Sequence, residues 1–160
     1  MAESDGSAYL KIVVVKIGKP ANQVYQVLVD EYLKRLSSYS KYQQKIIPAK
    51  GGVEKSTKST LDFLDSFRGS KLVGLDEGGQ NWSSPQFAKK IQEWKDDPSI
   101  QSLVFIVGGP YGLTDPIRKR LDVTWSLGLG VYPSDIAWLM LSEQIYRAHT
   151  ILAGSPYHHV

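Results

Sequence analysis

Apolar and polar positions along the 160-residue chain fall into blocks of strand-like and helix-like spacing that alternate with one another. Tyr9 to Ile17, with Val13-Val14-Val15 at its centre, predicts a strand, and Gly18-Lys19-Pro20 ends it. From Ala21 to Leu36, Val24, Leu28, Tyr32 and Leu36 recur every four residues with Val27 and Leu33 beside them. That spacing predicts an amphipathic helix with Asp30, Glu31, Lys34 and Arg35 outward. Tyr42 to Pro48 alternates weakly, as a second strand. Ala49 to Thr60 has no clear period and reads as a mobile loop; its lysines, Lys50, Lys55 and Lys58, also suit a basic flap over an RNA backbone. Leu61, Leu64 and Phe67 space like a short helix ending at Gly69.

The second half repeats the pattern more sharply. Lys71 to Asp76 predicts a strand and Glu77-Gly78-Gly79-Gln80 the loop after it, while Ser83-Ser84-Pro85 opens a helix whose inner face is Phe87, Ala88, Ile91 and Trp94. Leu103 to Val107 is apolar without interruption, as in a strand buried on both faces of a parallel sheet. Gly108-Gly109-Pro110 then turns the chain sharply, and Thr114 with Pro116 predicts a helix cap. Val123 to Leu127 is a short strand running into the glycine-rich Gly128 to Pro133. The last helix starts at Ser134 or Asp135 and is apolar on more than one side, which suits a central core position or half of an interface. Strands alternating with helices predict an α/β domain with a mostly parallel sheet flanked by helices, and such sheets bind ligands beyond the carboxyl ends of their strands.

Composition adds limits. The chain has no cysteine, which removes disulfides and thiolate zinc sites, and its net charge of +3 tolerates a polyanion without arguing for one. No apolar run has the length of a membrane span, no metal motif is present, and cytosol is the expected compartment. Residues 1–8 read as a small, polar, disordered leader before a single domain over residues 9–160. The glycine turn is neither a Walker A loop nor a Rossmann fingerprint.

Leu75-Asp76 with Gly78-Gly79, Ser83-Ser84, Phe105 to Leu113, Ser126-Leu127, Glu143-Gln144-Ile145-Tyr146-Arg147-Ala148 and Pro156-Tyr157-His158-His159 occur in the order and spacing of one family. From about Leu10 onward the chain resembles RlmH, the SPOUT-class methyltransferases that act on a pseudouridine of large-subunit (23S) ribosomal RNA. The resemblance implies an α/β knot, with a deep C-terminal trefoil. It implies S-adenosylmethionine held by the backbone around Leu75, by Gly108 and Gly109, and by Leu127, Gly128, Leu129, Gly130, Val131 and Tyr132. It implies a homodimer in which the tail of one subunit completes the site of the other, with ribosomal RNA, on the assembled ribosome, as the partner.

Methyl transfer to the ring N3 of pseudouridine needs donor and acceptor held in line, and a base or cation to favour the deprotonated ring. The resemblance points to Arg147, Tyr157, His158 and His159 for that task. Arg147 would contact phosphate or base, Tyr157 would anchor the tail or stack on a flipped base, and either histidine would serve as base or phosphate ligand. The chain departs from the family at Ser134 and Trp138, where the family usually has His and Arg, and at Gly128 and Val131 in place of Ser and Thr. Two charged groups are thereby lost from the expected RNA-facing rim, where a Trp can stack but cannot neutralise a phosphate. The alternatives are a SPOUT-fold cofactor- or RNA-binding protein with weak or no methyl transfer, or a methyltransferase with a shifted RNA target.

Overall fold

The computed structural model describes residues 10–159; the leader at 1–8, together with Tyr9 and Val160, lies outside the described residues. Ten elements follow in order: β1 (Lys11–Ile17), α1 (Gln23–Leu36), β2 (Lys41–Ile47), α2 (Val53–Leu64), β3 (Ser70–Asn81), α3 (Ser84–Asp96), β4 (Ser102–Val107), α4 (Asp115–Arg118), β5 (Val123–Ser126) and α5 (Ser134–Leu152). The five strands form one sheet in the order β2-β1-β4-β3-β5, and every pair is parallel.

The period of two divides each central strand between two cores. Ile12 and Val14 of β1 and Leu103, Phe105 and Val107 of β4 join the core beneath α1, α3 and α5. Val13, Val15 and Ile17, with Val104 and Ile106, face the smaller core beneath α2 and α4. The uninterrupted apolar run of β4 thus marks a strand covered on both faces, and all its residues are buried. Phe87 of α3 and Trp125 of β5 stack with centroids 4.1 Å apart in the larger core.

Ser83 caps α3 through a full capping box with Gln86, a local device worth about 1 kcal/mol. Four expectations are corrected. The predicted loop from Ala49 to Thr60 is helix α2 from Val53 on; its buried stripe is Ser56, Thr60 and Leu64, and Thr60 Oγ1 donates to the Ser56 carbonyl at 2.8 Å. Small polar residues carry that stripe, so the apolar period is missing from the sequence. The predicted loop Glu77–Gln80 lies within β3, which bulges between Leu75 and Gln80 and pairs again with β5. Gly79 permits this, since a Cβ there would stand 2.6 Å from the Thr124 carbonyl carbon. The side-chain cap expected at Thr114 does not form, although Thr114 holds the N-cap position of α4: its Oγ1 hydrogen-bonds Thr57 Oγ1 at 2.9 Å, while α5 begins at Ser134 as expected with Pro133 at its N-cap. In α1 the core-facing stripe is Val29, Leu33 and Leu36, while Val24, Val27 and Leu28 are exposed.

Helix α5 sends one stripe, Trp138, Leu141, Ile145 and Ala148, into the larger core, where it packs along α1 and α3. Its start is pinned far from β5 along the sheet. Ser134 Oγ donates to the Gly108 carbonyl at 2.6 Å, and Asp135 accepts from the Ala21 N–H at 2.9 Å. The chain therefore leaves β5 at the sheet edge and returns across the carboxyl ends of β3 and β4.

Candidate active site

That return closes a cavity of about 710 Å³ over the carboxyl ends of β3, β4 and β5. The volume lies within the ~300–1,000 Å³ usual for small-molecule sites. Three bends line it: Leu75 to Glu77 after the first half of β3, Gly108 to Leu113 after β4, and Ser126 to Ser134 after β5, without Leu129.

The Gly108–Gly112 bend is shaped by what it excludes. Gly112 N donates to the Gly109 carbonyl at 2.9 Å across Pro110-Tyr111, and Gly112 has φ of +72°, a left-handed value that favours glycine. A Cβ on Gly108 would lie 2.6 Å from the Gly112 carbonyl carbon, so any side chain would push the bend apart. After β5, Ser126 Oγ donates to the Gly128 carbonyl at 2.6 Å, and the Gly128 N–H donates back to it at 3.2 Å. This local turn aims the loop over the cavity. At the rim Arg118 donates to Asp76 at 2.7 Å and to the Leu113 carbonyl at 3.0 Å, tying the first bend to the second. That guanidinium holds the Asp76 carboxyl below the usual carboxylate range.

Of the residues expected to hold a cofactor, Leu75, Gly108, Gly109, Leu127, Gly128, Gly130, Val131 and Tyr132 line this cavity. Leu129 does not: it is 95% exposed on the outer side of the loop. S-adenosylmethionine fits the donor set on chemical grounds. Leu75, Val107, Leu113 and Leu127 supply apolar walls for an adenine, the glycine bends offer main-chain polar groups, and Asp76 and Glu77 bring carboxylates to the same space.

Trp138 is only 1% exposed, packed in the core, so it neither stacks on a base nor stands on the rim; the aromatic fills the space at the root of α5. The sequence reading also missed Lys16. The period of two points it to the same side as Ile12 and Val14, and it is 2% exposed. Its ammonium donates to the Gly18 carbonyl at 3.0 Å, pairs with Asp135 at 3.1 Å and lies 5.8 Å over the Trp138 ring. A lysine between Val15 and Ile17, inside the apolar run of β1, was the available clue, and only the fold supplied its partner.

The four tail candidates divide. Arg147, Tyr157 and His158 come together: Arg147 Nη1 donates to His158 Nδ1 at 2.9 Å, and its guanidinium lies 4.8 Å over the Tyr157 ring. His159 is exposed. None of the four lines the 710 Å³ cavity of its own chain. Ser134 and Arg147 are separated along α5 by about 20 Å at the helical rise per residue. Among the described residues no helix is long and apolar enough to cross a membrane, and no group of three or more acidic or histidine side chains could hold a metal.

A family profile described as "Predicted SPOUT methyltransferase" matches residues 10–158. The ribosomal RNA large subunit methyltransferase H of Flavobacterium johnsoniae is 36% identical over 157 residues, covering 94% of this chain and 99% of its own. The protein of the same name from Gloeobacter violaceus is 33% identical over 156 residues, with 94% and 99% covered. Among solved structures, a probable methyltransferase from Bordetella pertussis superposes with a TM-score of 0.59 at 11% identity, covering 91% of this chain and 99% of that one. A probable methylase family protein from Haemophilus influenzae gives 0.56 at 10% identity, over 96% and 72%. These two carry the fold alone. With the glycine bends, the cavity at the strand ends and the match over nearly all described residues in agreement, the chain belongs to the SPOUT methyltransferase family, enzymes that use S-adenosylmethionine.

Proposed function

We propose that this chain methylates the ring N3 of a pseudouridine in large-subunit ribosomal RNA, as a homodimer acting on the ribosome in the cytosol. The observation that carries the reading is the gathering of three separate bends, two of them bearing glycines, around one cavity. The relatives' names supply the substrate class. When bound, S-adenosylmethionine would supply a methyl carried on a positively charged sulfur, and the proton displaced from N3 would pass to solvent.

The chain's own residues have two tasks. Leu75, Gly108, Gly109 and the 127–132 bend, Leu129 aside, hold the donor, which is a matter of position: reacting atoms about 3–3.5 Å apart and in line. Arg147, Tyr157 and His158 hold the acceptor ring and offset the negative charge that N3 gains. Because Arg147 stands far along α5 from its own cavity, with Tyr157 and His158 packed against it, a second copy must bring them. The exposed stripe Val24, Val27 and Leu28 on α1 and the half-buried Leu139 and Met140 on α5 offer the apolar surface such a pairing needs. The return of the chain across the ends of β3 and β4 is the path that a C-terminal trefoil knot requires, and we include that threading in the proposal.

Ribosomes from a strain lacking this modification, incubated with the protein and S-adenosylmethionine, will yield N3-methylpseudouridine on nucleoside mass spectrometry. Cofactor binding by calorimetry with no methyl on the ribosomes would reject the substrate. Methyl appearing on another nucleotide would establish a shifted target.

A further inference from the structure

We propose that Glu143 is a positioning residue that, through Arg147, fixes His158 as a hydrogen-bond donor toward the substrate ring rather than as its base. The proposal deepens the pseudouridine reading and rests on it for the identity of the ring. Glu143 is the hub of the tail cluster; it opens the Glu143 to Ala148 motif, but the resemblance gives it no task and it does not line the 710 Å³ cavity. Its Oε2 accepts from Arg147 Nε at 3.1 Å, from Arg147 Nη2 at 2.9 Å and from the Tyr157 hydroxyl at 2.8 Å. Its Oε1 accepts from Gln144 Nε2 at 2.9 Å, and Gln144 in turn accepts from the Ser84 hydroxyl at 2.7 Å. The carboxylate is thus held from both sides while it holds the guanidinium plane.

With two of its nitrogens on Glu143, the guanidinium is fixed in its plane, and one N–H of Nη1 ends on His158 Nδ1 at 2.9 Å. A guanidinium only donates. His158 Nδ1 must therefore present its lone pair, and the neutral ring carries its proton on Nε2. That nitrogen can give a hydrogen bond but has no lone pair with which to take a proton. N3 of a uracil ring lies between two carbonyl oxygens, and both gain charge as N3 loses its proton. A donor aimed at one of them stabilises that charge, as an oxyanion-hole donor does. Tyr157 is also unsuited to act as base, because its hydroxyl proton is committed to Glu143; burial and that carboxylate both raise its pKa. The substrate's carbonyl is what the tail recognises, and its geometry is set from α5.

The test reads the imidazole nitrogens directly. Protein labelled with ¹⁵N-histidine has three rings to assign, His149, His158 and His159, and His158→Gln identifies its own by loss. In the free wild-type protein His158 will show protonated Nε2 and bare Nδ1. In Glu143→Leu, which keeps much of the volume and removes every side-chain acceptor for Arg147, the two tautomers will mix. Methyl transfer to ribosomes will then fall on the order of 10- to 100-fold in kcat, with the affinity for S-adenosylmethionine unchanged. Arg147→Lys, which keeps the charge and loses the fork, will show the same tautomer mixing. A wild-type His158 protonated on Nδ1, or full kcat in Glu143→Leu, would overturn the proposal. Wild-type protein that leaves ribosomes unmethylated would reject the pseudouridine reading instead; the tautomer in the free protein still decides the role of Glu143.

Discussion

His149 shows how a single side chain is tuned by the place a helix gives it. It is 2% exposed, its Nδ1–H donates to the Ile145 carbonyl at 2.8 Å, and its Nε2 is buried without a partner. Burial, with the charge of Lys95 adding to it, lowers its pKa from 6.5 to about 4. The unfolded chain therefore binds this proton first as the pH falls. Stability from this group is complete above pH 6.5 and declines as the pH drops toward about 4. The full effect is about 3 kcal/mol. Urea unfolding of wild type and His149→Phe at pH 7 and pH 4.5 will show a steeper acid loss in the wild type. Parallel losses would remove His149 as the cause. Nothing in the run Arg147-Ala148-His149-Thr150 marks this histidine as buried, because its environment comes from α1 and α3.

At the scale of elements, α1 and α5 each carry two apolar stripes, and only one stripe of each enters the protomer's core. In α1 that stripe is Val29, Leu33 and Leu36, which leaves Val27 64% exposed and Val24 49% exposed. A reading by period alone merges the two stripes, as the grouping of Val24, Leu28, Tyr32 and Leu36 did, because both satisfy the helical repeat. If the outer stripe is the subunit interface, Val27→Glu will leave the protomer folded and weaken the dimer by about 100-fold or more. Sedimentation across a concentration series reads this directly; an unchanged dimer would move the interface elsewhere. Replacing Trp138 with the family's Arg is not a surface repair for the same reason. It would place a second cation in the core, 5.8 Å from where Lys16 now lies over the ring.

For the whole molecule, the distance along α5 between the cavity edge and Arg147 makes a site shared between subunits testable by mixing. Gly108→Val destroys the cavity of its own protomer and keeps the tail; Arg147→Ala keeps the cavity and loses the tail. Each homodimer will be inactive. A mixture allowed to exchange subunits will recover about a quarter of wild-type activity, since half the dimers are mixed and each has one complete site. No recovery would mean that tail and cavity of one chain work together. What the sequence determined by itself was local: the strands, α3 with its capping box, the glycine bends and the Glu-Gln-x-Tyr-Arg-Ala and Tyr-His-His stretches, because turn geometry and hydrophobic period act over a few residues. The tertiary structure alone decided that Ser56 and Thr60 form a buried stripe and that β3 resumes after its bulge. It alone paired Lys16 with Asp135 across 119 positions and made Glu143 the hub of the tail, because those contacts join chain segments whose meeting no local pattern encodes.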